Sequence, residues 1–142
     1  MSTTYIDTAH LKDVSAIVKD VSETAVALGT DPEAMDDIAV ALHEALTNSI
    51  IHGYQHEPGY VEIEITREDN DLLVHVRDKA PLFDPITVPA PDISLPLDQR
   101  AYGGMGIHMM RNFTDELRYQ ITNNHQNELI LVKKNAFSGN GD

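Results

Sequence analysis

The chain has 142 residues, 42% of them hydrophobic, and carries 23 acidic against 10 basic side chains, a formal charge of −13. That excess of acid argues against a surface that tracks nucleic-acid phosphates, since such binding draws on clustered Lys and Arg, and suits a basic protein partner or simple solubility. With no cysteine there are no disulfides or thiolate metal sites. No apolar run approaches the roughly 20 residues of a membrane span and no basic-then-apolar signal opens the chain, so the sequence reads as one cytoplasmic domain over 1–142.

Residues 3–8 suit a short first strand. Leu11, Val14, Ile17, Val18 and Val21 recur at spacings of three and four, which predicts an amphipathic helix ending before Gly29. A longer helix follows over Asp31–Tyr54, with Thr30 as its cap, Pro32 at its first position, Glu33 three residues after the cap and Gly53 as its stop. At about 100° per residue, Met35, Ile38, Ala39, Leu42, Ala45, Leu46, Ser49 and Ile50 gather on an apolar back. Asp37, Ala41, Glu44 and Asn48 fall on the front. From this helix alone, a solvated face is the cheaper reading of Glu44 and Asn48.

Gln55–Gly59 reads as a loop. In Tyr60–Arg67 the apolar Val61, Ile63 and Ile65 alternate with Glu62, Glu64 and Thr66. Leu72–Asp78 alternates likewise, Val74 and Val76 inward and His75 and Arg77 outward, so the pair forms a hairpin. From Lys79 to Tyr102 periodicity disappears, and five of the seven prolines lie there. A loop of that length is functional or disordered. Gly103-Gly104-Met105-Gly106 leads into a short helix over Ile107–Phe113. Strands over Glu116–Thr122 and Glu128–Lys134 flank a turn, and 135–142 reads as a frayed tail. The order predicts an α+β two-layer sandwich: a mixed, mainly antiparallel sheet with helices packed on one face.

Four clusters could carry chemistry. Glu44 can take a proton, and the Asn48 amide oxygen is a hard ligand suited to Mg²⁺. Asp78 ends a strand, where it either accepts a hydrogen bond from a ligand amine or is merely a turn residue. Glycines at 103, 104 and 106 let backbone approach an anion at a helix start. Arg100 is the nearest cation before them, or a solvated loop arginine. His43-Glu44 does not complete an HExxH zinc site, because the second histidine position is Thr47. The chain also lacks a GxSxG elbow and a Walker A loop.

Taken in order, the clusters resemble a known set. Glu44-Ala45-Leu46-Thr47-Asn48-Ser49-Ile50-Ile51-His52-Gly53-Tyr54 resembles the N-box of the ATP-binding domain shared by gyrase, MutL, histidine kinases and the anti-sigma-factor serine kinases. Val76-Arg77-Asp78 with Phe83-Asp84-Pro85 resembles its first glycine box, and Gly104-Met105-Gly106-Ile107 with Met110–Glu116 its second. The wording of the N-box and the short chain point to the anti-sigma-factor kinase branch.

The resemblance implies the following roles. Asn48 ligates Mg²⁺, Glu44 is the general base, and Asp78 receives the adenine amine. Ala80, Phe83, Arg100, Gly103, Gly104, Met105, Gly106 and Ile107 join Asn48 and Asp78 around ATP, with residues 84–102 as a mobile lid. It implies a kinase that transfers the γ-phosphate to a serine of an anti-anti-sigma protein of the STAS type, that separately sequesters a sigma factor, and that forms a dimer as its relatives commonly do. One departure stands out: the family's first glycine box has glycine where this chain has Ala80, whose methyl group crowds the adenine or shifts the backbone. A module that sequesters a partner with weak or lost nucleotide binding is the alternative.

Overall fold

A computed structural model describes residues 1–87 and 104–137 of the chain. In chain order they form β1 (Ser2–Ala9), α1 (Val14–Ala27), α2 (Pro32–Asn48), β2 (Gly59–Glu68), β3 (Asp71–Asp78), α3 (Gly104–Asn112), β4 (Glu116–Ile121) and β5 (Asn127–Lys133). The strands make a five-stranded sheet in the order β1-β2-β3-β5-β4. Every described pairing is antiparallel, so the mixed sheet of the sequence reading is in fact uniform. The α+β class stands. None of the described helices is long and apolar enough to cross a membrane.

The core follows from the two periodicities. Val14, Ile17, Val18, Val21 and Ala25 bury one stripe of α1, and Met35, Ile38, Leu42 and Leu46 one stripe of α2. Both stripes meet the inward side chains of the sheet, among them Val61, Ile63, Val74, Val76, Leu129 and Leu131. Between the two helices Gly29 takes φ +111°, the left-handed turn that lets Thr30 N–H reach Ala25 O at 3.0 Å.

Three boundaries differ from the sequence reading. The cap of α2 is Asp31, whose side chain accepts from Glu33 N–H at 3.2 Å; Thr30 instead forms a bridge with Phe137. Ala41, placed on the polar front, is completely buried, on a helix that packs against both α1 and α3. The chain does not fray from Asn135: Ala136 and Phe137 are buried in the core. Arg67 lies 4.4 Å above the Phe137 ring, while Ala136 N–H donates to Asn70 O at 2.8 Å. The rest of that tail, 138–142, falls outside the described residues, as does 88–102 of the proposed lid.

The helical run does reach Tyr54, but it changes character. After Asn48 it widens into a π turn over Ser49–Gly53, closed by Tyr54 N–H on Ser49 O at 2.8 Å. Such a widened turn is uncommon and frequent beside functional sites. It aims Ser49, His52 and Gly53 at one cavity.

Candidate functional site

The end of α2, the π turn, the end of β3, the start of β5 and the start of α3 surround a cavity of about 410 Å³. That volume suits a small-molecule site. Helix side chains Asn48, Ser49 and His52 form one wall, and Val76, Leu129 and Tyr119 of the sheet form another. Ile107 enters from α3, and Ala80 to Phe83 form the rim, where Leu82 and Phe83 stand about half exposed. The sheet register explains the polar end. Asp78 lies directly opposite Asn127, one step beyond the pair Val76–Leu129, so two polar groups cap an otherwise apolar strand face.

Asp78 is buried, and its carboxylate is held from three directions. Ser49 Oγ donates to Oδ2 at 2.6 Å. Ala80 N–H donates to Oδ1 at 3.1 Å, and Asn127 Nδ2 donates to the same oxygen at 2.8 Å. The other end of the Asn127 amide accepts from Phe83 N–H at 3.0 Å and from Tyr119 O–H at 2.5 Å. Burial pushes the Tyr119 phenol up, with Asp84 adding to it, and burial pushes His52 below its ordinary value, with His56 adding to that. The cavity therefore carries a fixed acceptor at one end of apolar walls and an imidazole biased toward its neutral form. It can take a flat ring that presents an N–H.

Of the residues named from sequence, Asn48, Asp78, Ala80, Phe83 and Ile107 line this cavity together. Glu44 is not in the lining. It sits one turn before Asn48 on α2, where a Cβ at Gly106 would stand 3.0 Å from its Oε1, so the absent side chain lets α3 approach that carboxylate. Gly104, Met105 and Gly106 open α3 rather than precede it. Arg100 and Gly103 lie outside the described residues. Ala80 is buried, and its methyl faces Gly53, where an added Cβ would come within 2.8 Å. Among the described residues no group of three or more His, Asp or Glu side chains could hold a metal by itself. Asn48 offers one neutral oxygen donor of the kind Mg²⁺ accepts alongside ligand oxygens and water.

Sequence reasoning passed over Ser49 and Asn127. By helical counting Ser49 belongs to the apolar back of α2, and it is indeed buried there. A hydroxyl at that position needs a partner, which was the available signal. Asn127 opens a strand after a turn and becomes notable only through its cross-strand partner.

A family described as a histidine kinase-like ATPase domain matches residues 7–133. An anti-sigma F factor of Clostridium acetobutylicum is 30% identical over 125 residues, 82% of each chain. One from Clostridium kluyveri is 31% identical over 115 residues, covering 80% of this chain and 81% of the relative. One from Clostridium novyi is 34% identical over 110 residues, 72% of each chain.

Proposed function

Because the chain belongs to the histidine kinase-like ATPase domain family, alongside the anti-sigma F factors, we propose that it is an ATP-dependent protein serine kinase that also acts as an anti-sigma factor. The observation that supports this reading best is the shared cavity: Asn48 from α2 and Asp78 from β3 open into one apolar-walled space beside the first turn of α3. In this reading the adenine ring lies between Val76, Leu129 and Ile107 and gives its amine to Asp78. The phosphates run toward the start of α3, where helix-terminal N–H groups favour negative charge. Mg²⁺ would be held by Asn48 with phosphate oxygens and water, and it supplies charge neutralisation.

Glu44 accepts the proton of a serine hydroxyl on an anti-anti-sigma protein of the STAS type. The serine oxygen bonds the γ-phosphorus, the bond to the β-phosphate oxygen breaks, and ADP leaves. By the family resemblance, residues 84–102 would serve as the lid and Arg100, Gly103, Gly104 and Met105 would serve the phosphates; of these, 88–103 lie outside the described residues. Sequestration of a sigma factor is a separate binding function, and the full chain acts as a homodimer. The acidic surface suits basic segments of such a partner.

Transfer of labelled phosphate from ATP to the serine of the antagonist tests the reading. Glu44→Ala is expected to lower the rate by at least about 100-fold, the scale of a lost general base. Asn48→Ala is expected to abolish Mg²⁺-dependent ATP binding in calorimetry. Full transfer by both variants would overturn the kinase assignment. The methyl of Ala80 in the cavity wall favours a second reading, a sequestering module that does not use nucleotide. It predicts no heat on titration with ATP and Mg²⁺ but intact partner capture.

A further inference from the structure

Asp78 is the natural acceptor for a ring amine, yet a buried carboxylate with free rotation would offer several lone pairs in varying directions. Here almost all of them are spent. Oδ1 takes both Ala80 N–H and Asn127 Nδ2, and Oδ2 takes Ser49 O–H. A carboxylate oxygen has two lone-pair sites, so Oδ1 is saturated and Oδ2 retains one. Asp78, Ser49 and Asn127 are each only 8% exposed. Water therefore does not compete freely with these bonds.

The Asn127 amide cannot be turned over. Its Nδ2 faces three acceptors, Asp78 Oδ1, Ala80 O at 3.1 Å and Pro81 O at 3.2 Å. Its Oδ1 faces two donors, Phe83 N–H and Tyr119 O–H. Reversal would set an oxygen against three oxygens and an amine against two donors, so the network dictates one orientation. One side chain thus fixes the carboxylate and pins the rim residues 80–83 to the sheet.

We propose that Ser49 and Asn127 are positioning residues that lock Asp78 so that it presents a single acceptor, on Oδ2, to the ring edge of the nucleotide, and that this lock sets the preference for a base with an exocyclic amine over one with a carbonyl. The inference rests on the nucleotide reading of the cavity. A carbonyl oxygen set against Oδ2 would leave two buried acceptors facing each other, the arrangement that sites of this kind reject most strongly. If Asp78 is unlocked, its carboxylate can turn away or admit water, and the discrimination falls.

The test is calorimetric titration of the full chain, with Mg²⁺, using ATP, GTP and purine riboside triphosphate, which lacks the amine. Wild-type protein is expected to prefer ATP to the amine-free nucleotide by about tenfold or more, the scale of one hydrogen bond to a charged group. In Ser49→Ala and Asn127→Ala that ratio is expected to shrink toward one, while Ser49→Thr, which keeps the hydroxyl, restores it. If Asn127→Ala does not fold, the Ser49 pair still decides, since it reads the same carboxylate without touching the rim. An equal loss of affinity for all three nucleotides, or an unchanged ratio, would overturn the positioning role and leave the nucleotide reading intact. Absence of ATP binding by the wild-type chain would overturn that reading, and the inference with it.

Discussion

Arg77 stands on the face of the sheet away from the helices, where its guanidinium meets three carboxylates. Nε reaches Glu128, Nη1 Glu62 and Nη2 Glu64, each at 2.6 Å. The sheet register sets Glu62, Arg77, Glu128 and Gln120 in one row across four strands, so the cluster is a cross-strand construction. Burial opposes the charge on Arg77, and the bonds to Glu64, Glu128 and Glu62 outweigh it and raise its pKa. Burial likewise pushes the Glu128 carboxyl up, but the bonds from Gln120 and Arg77 and the nearby charges win and hold it below its ordinary 4.5. A folded-state pKa below the unfolded one stabilises the protein above the ordinary value, and that stability is lost as pH falls through the lowered one. Acid titration of stability is expected to show a loss beginning below pH 4.5 that Glu128→Gln makes shallower. An identical acid slope in both proteins would remove Glu128 from the account. Nothing in the local sequence distinguishes Arg77 from a solvated strand residue; its partners lie on neighbouring strands.

At the scale of elements, the end of the long helix matters more than its length. Gly53 is the last residue of the π turn, and its hydrogen faces the Ala80 methyl, where an added Cβ would stand 2.8 Å away. The departure from glycine at position 80 is thus packed against a glycine at position 53. Gly53→Ala is expected to destabilise the fold by about 1–3 kcal/mol through overpacking. The double variant with Ala80→Gly is expected to recover most of that loss in thermal unfolding, because the two sites are in contact and their effects do not add. Additive losses would show that the methyl of Ala80 has room elsewhere. Tyr54 completes the junction, its hydroxyl donating to Tyr60 O and accepting from Lys79 N–H, both at 2.7 Å. One side chain so joins the helix end to β2 and to the residue after β3.

For the whole molecule, residues 135–137 act as a clasp. Asn135 N–H donates to the Asp71 side chain, Ala136 N–H to Asn70 O, and Asp31 N–H to Ala136 O. Phe137 closes over Gly29, with its ring 3.6 Å from where a Cβ would stand. The end of the described chain thereby fastens the hairpin of β2 and β3 to the junction of α1 and α2. Phe137→Ala is expected to cost about 3–5 kcal/mol, the range for a buried aromatic, and to lower the denaturant midpoint with an unchanged slope. A midpoint within about 0.5 kcal/mol of wild type, the scale of a surface change, would place Phe137 outside the core.

The sequence by itself determined the elements and their order, because periodicity is a local property. The spacing from Leu11 to Val21 marked a helix that the structure places at Val14–Ala27, and the alternation over Tyr60–Arg67 a strand one residue short of the observed Gly59–Glu68 at each end. Its motifs also selected the residues Asn48, Asp78, Ala80, Phe83 and Ile107 that line one cavity. Tertiary structure decided what those residues touch. Whether Ala41 faces water depended on how the neighbouring elements pack on α2, and whether the tail frays depended on a slot for Phe137 beside Gly29. The grip of Ser49 and Asn127 on Asp78 joins the π turn after α2 to β3 and β5, which meet only when the sheet is assembled. Hydrogen bonds and buried methyls act over a few ångströms of space, and a linear pattern records no distances between segments far apart in the chain.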